Sequence, residues 1–344
     1  MDDILRSLER AMVKQGWVFG DKATRIGSPF EWTENERKPN ILRLRDLHAL
    51  AFYYSMYYVL KDTPASFRTI DHDAVLAHCR TALTRAFRHF LPFLPLDAVW
   101  KNHIESQARA RTQDYCFLRT HWPDMPAGLV HLDFGAGLGS SAIYSLDLFK
   151  SRFLAVEAHP MSYSVQRQFF RHLARRPGSY LDVVACESFE MEHAAIRRQL
   201  SRKSYRIRHV PSWHFGLLPD HSVDLVTATF VLNELNHAGI LWVLSQAARV
   251  LKPGGHFYIR DSFILKPGTH NVEYDAVLQR IGFRCSAKFE IANRHEFFGI
   301  PRLYRKEAEG SPSFDEMVAM CLGRFASVAS GGDLAYNLET LPKG

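Results

Sequence analysis

The sequence predicts an α/β protein in which a doubly wound, mostly parallel sheet follows an all-helical amino-terminal region. Two patterns carry this prediction. The first part of the chain, to about residue 120, has helical spacing of its apolar residues and no convincing strand. From about residue 128, short apolar runs rich in β-branched residues alternate with amphipathic stretches. Such alternation builds parallel sheets with right-handed crossovers and helices on both faces.

The amino-terminal region is predicted to consist of amphipathic helices separated by prolines. Apart from the first 17 residues, the helical stretches are Leu42–Lys61, His72–Leu91 and Ala98–Leu118. The first of these contains an aromatic cluster between Phe52 and Tyr58, for which packing is the favoured interpretation and a substrate-stacking wall the alternative.

The sheet is predicted from seven apolar runs in the second part of the chain. The first five are each followed by a helix, and the last two are close enough in sequence to pair as antiparallel strands at one edge. In order, the runs are LVHLDF, FLAVEA, YLDVVAC, VDLVTATFV, HFYIRDS, RCSAKFEI and GIPRLYRK. A final amphipathic helix is expected near Asp315–Ser327.

These patterns divide the chain into three parts. We assign residues 1–122 to a helical domain that covers an acceptor or forms a dimer contact. Residues 123–308 form the sheet domain, and residues 309–344 form a carboxyl-terminal helix and tail.

Composition places the chain among ordinary globular proteins. The 344 residues are 47% hydrophobic and 23% charged. No window reaches the roughly 18 apolar residues that cross a bilayer, and the amino terminus lacks the apolar run of an export signal. The 5 cysteines never form a CxxC pair, which disfavours disulfide frameworks and zinc knuckles. We therefore expect a cytoplasmic protein with no membrane partner.

The stretch HLDFGAGLGS places Asp133, Gly135, Gly137 and Gly139 in the loop after the first predicted strand. In open α/β sheets, ligands bind at the carboxyl ends of the strands, where glycines let the backbone approach them. Glu157 ends the next strand, where a carboxylate accepts hydrogen bonds from ribose hydroxyls. Nicotinamide dinucleotides and S-adenosylmethionine both fit this plan. Asp133 favours the second, because it would repel a pyrophosphate and attract the ammonium group of a methionine.

Four segments resemble those of class I S-adenosylmethionine-dependent methyltransferases, in the order in which that family has them. They are DFGAGLG, AVEA, LLPDHSVDLVTATFVLNEL and VLSQAARVLKPGGHFYIRDS. Less specifically, YSVQRQFFRHL, YRIRHVPSW and VLNEL resemble the sugar O-methyltransferase branch. The resemblance covers about residues 125–308 and implies a Rossmann-like fold that binds S-adenosyl-L-methionine.

The resemblance also implies roles for individual residues. Asp133 and the three glycines would surround the methionine part of the cofactor, and Glu157 would bind the ribose. For the adenine pocket, two sets of residues remain open: Glu187 or Ser188 after the third run, and Trp213 in YRIRHVPSW. Phe134 and Phe230 are candidates to face the sulfonium cation through their rings, and packing at the strand ends explains both equally well.

Transfer to a hydroxyl requires a base near the ends of the fourth and fifth runs of the sheet. His237 is the first candidate, because imidazole titrates near neutral pH, and Asp261 is the second. A magnesium ion held by Glu234 and Asp261 is an alternative that the spacing does not require, and we predict no metal.

The expected function is therefore O-methylation of a small hydroxylated acceptor, such as a sugar or a glycosylated natural product. A net charge of +7 leaves an RNA or ribosome-associated methyltransferase as the alternative, since residues 167–208 carry ten basic and four acidic side chains. A solvated helix face is the favoured interpretation of that surplus. A cofactor-binding module without catalysis and a dehydrogenase are the remaining alternatives, and a homo-oligomer is compatible with the helical domain.

Overall fold

The computed structural model describes residues 71–317, apart from 91–97, 159, 175, 177, 185–192, 233, 234, 236, 262–273, 290–299 and 314. Several predictions lie outside these residues: the helices at 1–17 and 42–61, the aromatic cluster, and most of the final helix. The division of the chain at residues 122 and 308 stays a prediction.

Two long helices precede the sheet, as the spacing of apolar residues predicts. Helix α1 spans His72–Phe90 and helix α2 spans Ala98–His121. They pack against each other, and Arg80 of α1 forms an ion pair of 2.7 Å with Glu105 of α2. The two helical stretches predicted here are therefore confirmed within one to three residues of their ends.

Among the described residues, an eight-stranded sheet with five further α-helices follows. The strands are β1 Val130–Phe134, β2 Arg152–Glu157, β3 Tyr180–Asp182, β4 Ile207–Pro211, β5 Val223–Thr229, β6 Leu251–Asp261, β7 Phe283–Lys288 and β8 Ile300–Lys306. The helices are α3 Ser141–Asp147, α4 Pro160–Ala174, α5 His193–Ser201, α6 His237–Val250 and α7 Tyr274–Arg280, and a 3-10 helix spans Ser212–Leu217.

The strand order is β3-β4-β2-β1-β5-β6-β8-β7, and β8 runs antiparallel to both of its neighbours. The expected parallel sheet with an antiparallel strand at one edge region is thus confirmed. All other pairs are parallel, with Asp133 aligned to Ala155 of β2 and to Thr227 of β5. The carboxyl ends of β1, β2 and β5 therefore meet at one edge.

One strand was missing from the sequence prediction. The segment RIRHVPSW was not among the seven predicted strands, but its residues 207–211 form β4, which pairs with β2. The run YLDVVAC forms a strand only at Tyr180–Asp182, at the edge of the sheet. Because basic side chains interrupt the apolar pattern of β4, its sequence does not read as a buried strand, although all five residues are buried.

Helices cover both faces of the sheet. One apolar core contains residues of α5, α6 and α7, and a second contains residues of α1, α3 and α4. Cys79 and Leu83 of α1 belong to the same core as Phe169 of α4. The helical region that the structure describes is therefore packed onto the sheet. Its helices, like the others in the described part of the chain, are too short or too polar to cross a membrane.

Candidate active site

A glycine loop joins β1 to α3 at the carboxyl edge of the sheet. Gly135, Gly137 and Gly139 have φ values of 65°, 57° and 80°, which residues other than glycine rarely adopt. At Gly139, a β-carbon would lie 2.7 Å from Cε1 of Phe170, and at Gly135 it would collide with Val231. Packing inside the protein therefore requires two of these glycines, in addition to any approach to a ligand.

Asp133 is buried beneath this loop, where hydroxyl groups hold both of its carboxylate oxygens. Thr227 of β5 donates a hydrogen bond of 2.6 Å to Oδ1, and Ser141 of α3 donates one to Oδ2. Burial raises the pKa of Asp133, and the two hydroxyls offset part of this rise. The side chain fixes the loop between β1, β5 and α3. Its predicted contact with an ammonium group stays a prediction.

A buried histidine continues the hydrogen bonds of Asp133 through the core. Thr227 gives its hydrogen to Asp133, so its oxygen accepts from His131 Nε2 at 2.8 Å. His131 Nδ1 then accepts from Ser145 at 2.8 Å. Burial, assisted by the charge of Arg111, lowers the pKa of His131 to about 3. A neutral imidazole therefore supports the acid that underlies the glycine loop.

Glu157, at the end of β2, binds the glycine loop from the neighbouring strand. Its Oε2 accepts hydrogen bonds from the backbone of Gly137 at 3.1 Å and from Gln166 Nε2 at 2.9 Å. The same Gln166 amide donates to the carbonyl oxygen of Gly137 at 2.6 Å. Gln166 thus ties the second glycine to the predicted ribose-binding acid.

Gln166 is itself held by His209 of β4. His209 Nε2 donates to Gln166 Oε1 at 2.8 Å, and Tyr180 donates to His209 Nδ1 at 3.0 Å. Tyr163 stacks on the imidazole with ring centroids 3.5 Å apart. Burial and the charge of Arg167 keep the pKa of His209 well below its usual value, so the neutral form that this pattern requires is the stable one.

Sequence reasoning missed Gln166, although a signal was present. Helix α4 buries Tyr163, Phe169 and Phe170, and Gln166 is fully buried on the same apolar side. A glutamine side chain is unusual on the apolar face of a helix, and its burial there indicates a specific hydrogen-bond partner. His209 could not be found in this way, because β4 itself was not recognised.

The position of β4 bears on the adenine pocket. The register aligns Glu157 with Pro211, so Trp213 follows the strand directly beside β2. Trp213 is half-buried in the 3-10 helix, next to His214. Glu187 and Ser188 lie outside the described residues, but they follow β3, which β4 separates from β2. The topology therefore favours Trp213 over the other pair as a neighbour of Glu157.

A buried ion cluster joins α2 to the carboxyl end of β6. Arg260 pairs with Asp114 through Nε and Oδ1 at 2.7 Å, and Tyr258 donates to the same oxygen at 2.7 Å. Arg111 lies 3.4 Å from the other oxygen of Asp114. These side chains are at most 7% exposed. Sequence analysis did not foresee this cluster, because nothing in α2 alone reveals its partner on β6.

Phe230, at the end of β5, faces this cluster. It has a positive φ of 57°, and its backbone N–H donates to the carbonyl of Arg260. The guanidinium of Arg260 lies 4.9 Å from the centre of the Phe230 ring. The ring therefore already has a cation partner within the protein, and its predicted contact with a sulfonium stays a prediction.

The two candidate bases follow neighbouring strands. Asp261 is the last residue of β6 and is fully buried. His237 is the first residue of α6, which follows β5, and its side chain lies outside the described residues, as does Glu234. In the described part of the chain, no group of three His, Cys, Asp or Glu side chains is arranged to hold a metal.

Comparison with known proteins adds a family match. Residues 166–259, from α4 into β6, match the family model described as a methyltransferase domain. No significant match is found among curated proteins.

Solved structures are similar at low identity. One is the 1,6-didemethyltoxoflavin-N1-methyltransferase of Burkholderia thailandensis, with 18% identity over 72% of this chain and 93% of that chain and a TM-score of 0.40. A TehB-like S-adenosylmethionine-dependent methyltransferase of Corynebacterium glutamicum has 17% identity over 54% and 84%, with a TM-score of 0.37. Phosphoethanolamine N-methyltransferase 1 of Haemonchus contortus has 14% identity over 83% and 54%, with a TM-score of 0.38. These values are too low to carry an argument about the acceptor.

The sheet order, the glycine loop after β1 and the acid after β2 define a Rossmann-like nucleotide-binding fold. Together with the match of residues 166–259 to a methyltransferase domain, this fold supports an S-adenosylmethionine-dependent methyltransferase that resembles class I members. The resemblance to the sugar O-methyltransferase branch stays a prediction.

Proposed function

We propose that this methyltransferase methylates a hydroxyl group of a small acceptor, such as a sugar or a glycosylated natural product. The observation that carries the proposal is the placement of its two candidate bases. His237 begins the helix after β5 and Asp261 ends β6, and these two strands are adjacent. Both residues therefore belong to the carboxyl edge on which the glycine loop lies.

The residues at this edge fit the donor. Glu157 is acceptor-only and bound to the glycine loop, which suits a ribose with two hydroxyl donors. Trp213, half-buried beside the end of β2, offers an apolar face for adenine. We assign the ribose to Glu157, the adenine to Trp213 and the methionine part to the loop of Gly135, Gly137 and Gly139.

S-adenosylmethionine supplies a methyl group activated by a sulfonium. The chain's own contribution is to align the acceptor oxygen with that methyl group and to exclude water from it. A sugar hydroxyl holds its proton tightly at neutral pH, so a base must accept that proton as the oxygen attacks. We assign this step to His237, with Asp261 as the alternative base or as the group that orients the hydroxyl.

The placement of basic residues supports a small acceptor over RNA. Lys203 and Arg206 lie before β4, and Arg152 begins β2, so these cations lie at the amino ends of the strands. The glycine loop lies at the opposite edge. These cations therefore do not line the end of the sheet that holds the glycine loop.

The test is an intact-mass screen of the purified protein with S-adenosylmethionine and separate panels of hydroxyl, amine and RNA acceptors. We expect a gain of one methyl group on a hydroxyl acceptor. His237→Gln should lower kcat about 100-fold or more while S-adenosylhomocysteine binds normally. His121→Gln, which changes an exposed histidine at the end of α2, is the matched control.

The outcomes separate the parts of the proposal. Methylation of an amine or of RNA would overturn the acceptor class and leave the methyltransferase assignment intact. Unchanged turnover in His237→Gln would transfer the proton step to Asp261, for which Asp261→Asn is the corresponding variant.

A further inference from the structure

A cleft lies at the amino-terminal ends of the strands, on the side of the sheet opposite the glycine loop. It is formed between the loops that lead into β2 and β4. Its volume is about 330 Å³, at the lower end of the range for small-ligand pockets. It is lined by Leu146, Lys150, Ser151, Arg152, Lys203, Ser204, Tyr205 and Arg206. Four of these eight residues are basic and none is acidic.

Two of the cations have no internal partner. Among the residues that the structure describes, Arg152 and Lys203 form no ion pair and no side-chain hydrogen bond. They project from different loops into the same cleft. Asp147, which follows the lining residue Leu146, is already shared between Arg206 at 3.4 Å and His78 at 3.4 Å. The cleft therefore holds an excess of positive charge that the described residues do not neutralise.

A third arginine stands behind the cleft. Arg208 of β4 is only 4% exposed, and its Nε has no hydrogen-bond partner. Its Nη2 donates to the carbonyl oxygen of Arg202 at 2.8 Å, and no described carboxylate pairs with it. Burial and the charge of Arg152 lower the pKa of Arg208 to about 10. Like charges held together at this position are relieved by an anion between or beside them.

The wall of the cleft is rigid. The guanidinium of Arg206 donates to the carbonyl oxygens of Leu173 at 3.2 Å and Leu146 at 3.3 Å, and it contacts Asp147 at 3.4 Å. Ser151 is held by the carbonyl of Ser145 at 2.8 Å. A preorganised wall lowers the entropic cost of holding a ligand between the two unpaired cations.

We propose that this cleft binds a small phosphate-bearing anion between Arg152 and Lys203. A phosphate group carries up to two charges and matches both cation types, since arginine binds it through a planar fork and lysine as a point charge. The site is distinct from the donor site and does not depend on the acceptor proposed above. Its ligand is the phosphate group itself, free or as part of a small ester or pyrophosphate.

Calorimetry with the full chain tests this assignment, with inorganic phosphate and pyrophosphate as separate probes at low ionic strength. We expect one site per chain for the wild type. Arg152→Gln and Lys203→Gln should each weaken binding at least tenfold. Arg198→Gln, which removes an exposed charge from α5 outside the cleft, should leave affinity within about twofold. Thermal unfolding of each variant checks that it is folded.

Several results would overturn the assignment. Absence of binding by the wild type at millimolar phosphate and pyrophosphate is one of them. Equal weakening in all three variants would indicate general charge attraction without a site. Tight binding of a single-stranded RNA that Arg198→Gln also weakens would replace the small anion by a nucleic-acid surface. None of these results bears on the methyl-transfer reaction, so the two proposals fail separately.

Discussion

Charged side chains are paired differently at the carboxyl ends of the strands (the carboxyl edge) and at their amino ends (the amino edge). At the carboxyl edge, Asp133 and Glu157 are buried and bound by the protein's own donors, and Asp114 neutralises Arg260. At the amino edge, Arg152 and Lys203 face a cleft and have no ion-pair partner in the part of the chain that the structure describes. At the carboxyl edge, the protein's own hydrogen bonds and ion pairs hold the charged groups in a fixed geometry. At the amino edge, the charges are available to a ligand.

The largest effect is expected where a buried pair is broken. Asp114→Ala leaves the Arg260 guanidinium buried without its carboxylate, so the free energy of unfolding should fall by about 3–5 kcal/mol in denaturant unfolding. The matched control is Glu105→Gln, which removes the ion pairs of Glu105 with Arg80 of α1 and Arg109 of α2, whose side chains are all one-third or more exposed. That loss should stay below about 1 kcal/mol. Equal losses would mean that the buried cluster is not special.

Removal of the acid at the end of β2 should act on donor binding. Glu157→Ala should weaken S-adenosylhomocysteine binding about 10- to 100-fold, because hydrogen bonds to a charged group contribute about 1.5–3 kcal/mol. Glu157→Gln keeps one acceptor oxygen and should lose less. Calorimetry measures both, and unchanged affinity in Glu157→Ala would refute the ribose assignment.

The buried histidine beneath the glycine loop predicts how stability depends on pH. Folding lowers the pKa of His131 to about 3, whereas in the unfolded chain it is about 6.5. The unfolded state therefore binds one more proton between these values. The contribution of His131 to the free energy of unfolding is complete above pH 6.5. It is lost as the pH falls, with a slope approaching 1.4 kcal/mol per pH unit.

The variant His131→Gln isolates this contribution. Its unfolding free energy, measured from pH 7 to pH 5, should fall less steeply than that of the wild type. His214 and His256, whose pKa values burial lowers to about 4, act in the same direction and remain in the variant. An unchanged slope would contradict the neutral state assigned to His131.

A charge placed at Gln166 should make donor binding sensitive to pH. In Gln166→Glu a second carboxylate would lie within hydrogen-bond distance of Glu157, because the Gln166 amide is now 2.9 Å from it. Like charge raises the pKa of one of the two groups, and its proton restores the bridge. Affinity for S-adenosylhomocysteine should therefore be several-fold higher at pH 6 than at pH 8. Gln166→Met, which adds no charge, should be weaker but pH-independent.

The smallest effect is expected at the amino edge. Arg152→Gln removes a cation that has no described partner and repels Arg208, so the unfolding free energy should change by no more than about 0.5 kcal/mol. A loss comparable with that of Asp114→Ala would show that the two edges do not differ as described. Equilibrium unfolding of both variants in one buffer makes the comparison direct.

The local pattern of the chain was enough to predict the alternation of strands and helices, the glycine loop and the acid that ends β2. Hydrophobic period and turn chemistry are short-range properties, and each of these features is a short-range pattern. The bounds of β1, β2 and β5 differ from the predicted runs by at most two residues. The resemblance to a known family then predicted the identity of the methyl donor, S-adenosylmethionine.

Only the tertiary structure decided which distant groups meet. His209 holds the Gln166 amide because β4 lies against β2, and β4 was not recognised in the sequence. Asp114 meets Arg260 across 146 residues, so no local pattern could pair them. The local sequence does not identify the partner of such a side chain, since the partner's position is set by the packing of whole elements and not by neighbours in sequence.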